Sequence, residues 1–292
     1  MMESLWIIRH GERKDNLLEE HKNFKHLKSA PHNTPITDLG KEQGFMIGNI
    51  IECQERRLPK YVYSSPYLRS IETALEIARG LEETYKAMKH NDKKRNKSNS
   101  KNKSLVDNKV NKDDIEPRIK IRVEYGLAEP IFESTEKKEI YYDKLLPKDE
   151  HYIMEMMETS MLFKLFPNRI DSKYKSFFKK SDIPHRETLK TYRDKILKLK
   201  KFIAKRSDKL GILVCHGGLT TDLCVNMDKN VCELVRKNPE MRKTYFSDVG
   251  SSNYGAMGHL IMCPIKKDWQ LIGGVNNNYL KMRNKHKTNL EG

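Results

Sequence analysis

Leu5-Trp6-Ile7-Ile8-Arg9-His10-Gly11-Glu12-Arg13 is the stretch on which the reading of this chain turns. Four apolar residues in succession, two of them β-branched, predict a strand buried on both faces of a parallel sheet. The run then breaks into Arg, His, Gly, Glu and Arg. In open α/β sheets, the groups that act on ligands lie just beyond the carboxyl ends of the strands. A histidine placed there between Arg9 and Arg13 sits among positive charges, which favour the neutral imidazole. A neutral ring nitrogen is a nucleophile, and guanidinium forks match the oxygens of a phosphate. Gly11 is expected to let the chain turn closely beneath a ligand. A capping histidine with two solvated arginines is the plainer reading of the same residues.

The pattern recurs far along the chain. Gly211-Ile212-Leu213-Val214-Cys215 reads as a second buried strand, and it ends in His216-Gly217-Gly218. Histidines at the ends of two buried parallel strands can meet over one site. Between them, Tyr61-Val62-Tyr63-Ser64 predicts a short strand running into Ser65-Pro66-Tyr67-Leu68-Arg69. Proline after serine suits a helix start, with Pro66 as first helical residue and Arg69 in the second turn. Arg69 is then an ordinary exposed helical arginine, or one within reach of the strand's carboxyl end. Ile119-Lys120-Ile121-Arg122-Val123 alternates as a strand and leads to Glu124-Tyr125-Gly126-Leu127-Ala128-Glu129-Pro130. Glu129, held extended by the following proline, is either a loop acid or a proton donor.

The remaining segments fill out an α/β fold: a mostly parallel central sheet flanked by helices on both faces, with an inserted lid region. Thr37 is placed to cap a helix whose buried face would be Leu39, Met46, Ile47, Ile50 and Ile51. Arg186 to Ser207 predicts an amphipathic helix with Leu189, Tyr192, Ile196, Leu199 and Ile203 on one side. Another helix is expected from about Leu219, then a hairpin from Tyr254–Met262 and Trp269–Ile272. Residues 14–36 read as a loop near the site. A single domain over 1–280 would carry a mobile Lys/Asn-rich insertion at 86–116 and a lid or subdomain at 130–186. That second segment holds nine of the 24 aromatic residues, which are expected to form local core. Residues 281–292 form a basic tail.

Composition narrows the function classes. The 292 residues are 33% charged and 37% hydrophobic, with net charge +16. Seven positive charges and one negative fall between Lys89 and Lys103, and the rest are dispersed. Such charge attracts anionic substrates, and equally nucleic acid or acidic membranes. No aromatic residues interleave the lysines, so no specific nucleic-acid role is expected. Nothing approaches a membrane span, and the opening apolar run is short for a signal peptide. Five cysteines without CxxC spacing point to reduced thiols in the cytoplasm rather than disulfides or zinc. None has an arginine six positions later, which excludes the cysteine-nucleophile phosphatase loop.

In their order, Arg-His-Gly, Ser-Pro-x-x-Arg, Gly-Leu-x-Glu and a buried strand into His-Gly resemble the histidine phosphatase (phosphoglycerate mutase-like) superfamily. The likeness is greatest to the phosphatase domains of the suppressor of T-cell receptor signalling and ecdysteroid-phosphate phosphatase group. It rests on residues 9–13, 35–37, 64–74 and 119–129, with echoes at Val235-Arg236-Lys237 and Trp269-Gln270-Leu271. The resemblance implies that His10 becomes phosphohistidine, that Arg9, Arg13 and Arg69 hold the phosphoryl oxygens and that His216 completes their pocket. It implies that Glu129 is the proton donor. It further implies a phosphomonoester phosphatase without metal or cofactor, acting on a small molecule, a sterol phosphate or a phosphotyrosine peptide. Related domains pair, so a homodimer is consistent with it. A mutase and a catalytically quiet phosphoprotein scaffold are the alternatives; Glu12 and Arg13 stand where mutases carry a small hydroxyl residue, which favours hydrolysis. The chain leaves no length for the relatives' ubiquitin-binding and Src-homology domains. Pro130 and Gly217-Gly218 depart from the group's pattern and bear on substrate preference.

Overall fold

The opening apolar run forms β1 (Ser4–Arg9), buried throughout except at the half-buried Arg9. The structure, a computed structural model, describes residues 2–14, 33–99, 119–130, 159–184, 186–239 and 254–276. Five further strands are β2 (Tyr61–Ser64), β3 (Lys120–Val123), β4 (Leu210–Cys215), β5 (Met257–Met262) and β6 (Trp269–Asn276). They make one sheet in the order β3-β2-β4-β1-β5-β6. The first four in that order run parallel, and the β5–β6 hairpin adds two antiparallel strands at one edge. The sheet is thus mostly parallel, as its apolar strands predict.

Helices α1 (Asp38–Glu55), α2 (Leu68–Asn99), α3 (Thr159–Leu165), α4 (Leu189–Ala204), α5 (Gly217–Met227) and α6 (Lys229–Lys237) flank the sheet. Alternate residues of β1 feed two cores. Leu5 and Ile7 pack with Ile196 and Leu199 of α4 and Leu219 and Leu223 of α5. Trp6 and Ile8 pack on the other face with Ile47 and Ile51 of α1 and Ile71 and Ile77 of α2. Each such aliphatic side chain contributes about 1.5–3 kcal/mol by leaving water.

Thr37 caps α1 as expected, accepting a hydrogen bond from Gly40 N–H at 2.9 Å. The face that α1 buries differs from the expected one. Leu39 is exposed, while Gly40, Gln43, Gly44, Ile47, Gly48 and Ile51 turn inward. A β-carbon on Gly48 would strike Ile77 O, and one on Gly80 would strike Phe45 O. Here α1 and α2 meet backbone to backbone, so the contact is written in glycines rather than in apolar periodicity.

Other boundaries shift for local reasons. α2 starts at Leu68 rather than Pro66, and Asn33 Oδ1 accepts from Leu68 N–H at 2.6 Å. It continues to Asn99 instead of ending near Lys86. A helix already nucleated gains one bond per added residue, and Lys and Arg sustain it well. A polar composition alone therefore did not mark a loop. α4 begins at Leu189, which is exposed; its buried stripe starts at Tyr192. α5 begins at Gly217, and β5 only at Met257.

The later part of the expected lid is woven into the body of the protein. Leu162, Phe166 and Ile170 pack in the core beside α1 and α2, and Ile170 bridges Ile121 in parallel. Phe178, Tyr174 and Phe177 join the opposite core, so these aromatics do form local packing. The earlier part of that lid, most of the loop at 14–36, the insertion beyond residue 99 and the basic tail lie outside the described residues. Among the described residues no helix is long and apolar enough to cross a membrane.

Candidate active site

β1 and β4 are neighbours in register, with Arg9 opposite Cys215, so His10 and His216 emerge side by side. Their rings lie 5.3 Å apart at 63°. His10 is fixed through its backbone: its N–H donates to Cys215 O at 3.0 Å, and its carbonyl accepts from Gly255 N–H at 3.1 Å. Its Nδ1 stands 2.8 Å from Gly11 O. A carbonyl only accepts, so Nδ1 carries the proton and Nε2 keeps its lone pair.

Gly11 permits a close approach of chain to chain. A β-carbon there would stand 2.5 Å from Gly40 O, so Gly11 lets β1 run against the start of α1. Its N–H donates to Thr73 Oγ1 at 2.9 Å, and Thr73 in turn donates to Arg69 O at 2.7 Å. Glu12 likewise serves this junction, accepting from the Thr37 hydroxyl at 2.7 Å.

Arg69 is the second residue of α2 and is only 1% exposed. Far from the ordinary helical arginine, its Nη2 reaches Glu129 Oε2 at 2.5 Å and His216 Nδ1 at 3.3 Å. A guanidinium nitrogen only donates, so His216 Nδ1 accepts and its Nε2–H donates to Ser65 Oγ at 2.8 Å. Glu129 Oε2 also lies 3.6 Å from His216 Nδ1. Arg9 lies 4.5 Å over the Tyr254 ring, and Arg69 lies 4.6 Å over Tyr67. A β-carbon on residue 217 would come within 3.2 Å of Arg9 Nε, so Gly217 makes room for that side chain. Arg13 is near enough that its charge bears on both His216 and Glu129. The structure thus brings together all six residues singled out by the sequence.

The electrostatics follow from this crowding. Burial, and then the charges of Arg69 and Arg9, push the His10 imidazole well below its ordinary range. Burial and the charges of Arg69, Arg13, Lys195 and Arg9 do the same to His216. Both rings are therefore neutral near pH 7. Burial alone would raise the Glu129 carboxyl, but the charges of Arg69, Arg13 and Arg9 hold it below the usual range. Glu129 is thus an anion, and it is paired with Arg69 Nη2.

Sequence reasoning missed the residues that hold this set in place. Ser65, read as a helix start, is fully buried and orients His216. Glu124 is fully buried and anchors the turn before Glu129. Its carboxylate accepts from the Tyr174 hydroxyl at 2.6 Å, Ser176 at 2.6 Å, Phe177 N–H at 2.9 Å and Phe178 N–H at 3.1 Å. Lys195 of α4 pairs with buried Glu187 and donates to Ala128 O at 3.4 Å, beside Glu129. Their spacing in the sequence gave no signal for either contact. Among the described residues, no group of three or more His, Cys, Asp or Glu side chains is placed to share a metal ion.

Residues 5–91 match the profile of the histidine phosphatase superfamily (branch 1). The matched segment carries Arg9, His10, Arg13, Ser65 and Arg69. No curated protein matches the sequence. Among solved structures, the ecdysone phosphate phosphatase of Bombix mori, in complex with tungstate, is similar at TM-score 0.54 and 17% identity, over 92% of each chain. That likeness establishes a shared fold. The phosphoserine phosphatase of Entamoeba histolytica, with 3-phosphoglyceric acid, is similar at 16% identity and TM-score 0.43, over 94% of this chain and 98% of that one.

Proposed function

We propose that this chain, whose residues 5–91 match the histidine phosphatase superfamily, hydrolyses phosphomonoesters through a phosphohistidine on His10. One observation carries the reading. His10 presents Nε2 from a neutral ring, with Nδ1 tied to Gly11 O, amid the guanidinium groups of Arg9 and Arg69. Arg9, Arg13 and Arg69 would bind the non-bridging phosphoryl oxygens, and His216 would complete the pocket by orienting Arg69. A transferring phosphoryl group spreads charge over those oxygens, so fixed donors supply most of the acceleration.

In the first step His10 Nε2 forms a bond to phosphorus as the ester P–O bond breaks. The leaving oxygen takes a proton from Glu129. In the second, Glu129 accepts a proton from water, whose oxygen attacks phosphorus and releases the imidazole and inorganic phosphate. Glu129 must be protonated for the first step, although Arg69 holds it ionised in this structure. A substrate dianion would draw the Arg69 fork to itself and place negative charge beside Glu129, and both changes raise the carboxyl's proton affinity.

Tyr67 and Tyr254, both buried, lie against Arg69 and Arg9 and hold the two guanidinium groups in place. The candidate substrates are a phosphorylated small molecule, a sterol phosphate and a phosphotyrosine peptide. The decisive measurement is rapid quenching during turnover of an aryl phosphate. Acid-labile, base-stable label on the wild-type protein and none on His10→Ala is the expected result. Turnover by His10→Ala at the wild-type rate would remove His10 as nucleophile. Full activity in a strong chelator is expected if the arginines suffice without metal.

A further inference from the structure

At the opposite end of the sheet from His10, a cavity of about 410 Å³ opens where β1 begins. Six residues of strand span roughly 20 Å, so this cavity is remote from the candidate active site. Its inner wall is apolar: Met2, Ile203 and Met227 are buried there, and Met262 and Trp269 complete the lining. Flexible thioethers conform to irregular apolar chains more readily than branched side chains do. The volume falls within the range of small-ligand sites, roughly 300–1,000 Å³.

The rim is cationic. Lys200, Lys201, Lys229 and Lys267 line the cavity against one carboxylate, Asp268. Lys201 lies in the last turn of α4, where a helix dipole welcomes cations, and Lys200 just before it donates to Asn226 O at 2.5 Å. The other two are not explained that way. Lys229 is the first residue of α6, the wrong end for a positive charge, and it needs Asp268 at 2.8 Å. Lys267 holds a left-handed backbone, φ 54°, where glycine or asparagine would be easier. Local stability therefore disfavours a lysine at position 267, while Lys229 is offset by Asp268.

We propose that this cavity binds a monomeric anionic amphiphile of the fatty-acid type, its chain against the methionines and its carboxylate among the lysines. An apolar interior needs an apolar body, and a lysine rim selects a negative head group. Neither feature is used by the phosphatase chemistry, so the proposal is independent of the reading given above.

The protein carries its own reporter. Of its two tryptophans, Trp6 is buried and stacked on His259, while Trp269 lines the cavity. Titration with dodecanoate below its micelle concentration should give a saturable shift in tryptophan emission that disappears in Trp269→Phe. Dodecanol and dodecyltrimethylammonium should bind roughly tenfold more weakly or worse, since a lysine rim attracts an anionic head group and not a neutral or cationic one. The double variant Lys201→Glu with Lys267→Glu, both at exposed positions, should lose a similar factor for dodecanoate and none for dodecanol. Ala204→Phe, which places a ring in the cavity, should abolish binding of every probe. A non-saturating response, equal affinity for the three head groups, or unchanged dodecanoate affinity in the lysine variant would overturn the proposal.

Discussion

The two ends of β1 each hold a polar cluster that includes histidine, and the charge set beside the ring differs in sign: guanidinium at one end, carboxylate at the other. At the carboxyl end, His10 and His216 lie among guanidinium groups and are kept neutral. At the amino end, His259 stacks on Trp6 at 3.9 Å and meets Ser4 and Glu55. Serine, histidine and glutamate are the ingredients of a hydrolase triad. Their geometry is not that of one. Ser4 Oγ lies 2.9 Å from His259 Nε2 and Glu55 Oε1 lies 3.4 Å from the same nitrogen, while Ser4 donates directly to Glu55. A triad needs serine and acid on opposite ring nitrogens. The comparison teaches that residue types do not make a catalytic site; the sign of the surrounding charge and the choice of ring nitrogen do.

The comparison can be broken from either end, and the largest effects belong to the cationic one. His10→Ala is expected to lower kcat for an aryl phosphate by roughly 10⁴-fold or more. His259→Ala should leave kcat within about twofold, since no charge develops there in the reaction. A large loss in the second variant would show that the two ends are coupled. Arg69→Met should cost roughly 10²–10³-fold in kcat, the loss typical of one preorganised donor. Glu129→Gln should slow alkyl phosphates by roughly 10²-fold or more while sparing nitrophenyl phosphate, whose leaving group needs no proton. Equal losses on both substrates would remove the acid role.

At the amino end the expected effects are on stability and its pH dependence. Burial alone would raise Glu55, but hydrogen bonds from His259, Ser4 and Trp6 and the charge of Arg57 bring it down to about 2. Its contribution is therefore present above pH 4.5 and lost as pH falls toward 2. Glu55→Gln should destabilise the fold at pH 7 by about 1–3 kcal/mol in denaturant titration. Glu52 is the counterpart: burial and the neighbouring Glu55 push it up to about 7. The unfolded chain ionises near 4.5 while the folded protein keeps its proton, so stability falls as pH rises from 4.5 to about 7. Glu52→Gln should flatten that decline and leave the protein more stable than wild type at pH 8. A variant with an unchanged slope would locate the titration elsewhere.

Legibility in the sequence tracked how local the determining physics is. The strand runs before His10 and His216 could be read because a strand buried on both faces must be continuously apolar. Arg69 and Glu129 could be proposed because each follows a strand closely in the chain. The glycine seam between α1 and α2 was not legible by apolar counting, since what packs there is backbone. The extension of α2 to Asn99 was hidden for the converse reason: a polar helix carries no periodic apolar stripe.

By itself, then, the sequence determined the α/β architecture and the identity of the residues that gather at the strand ends, because alternation, apolar runs and turn chemistry act over a few neighbours. Only the tertiary structure decided which nitrogen of His10 is left bare, that Glu129 pairs with Arg69, and that Ser65, Glu124 and Lys195 hold the set in place. Those outcomes depend on distances between segments far apart in the chain. A field at a buried atom is a sum over everything around it, and it comes into being only when the fold closes.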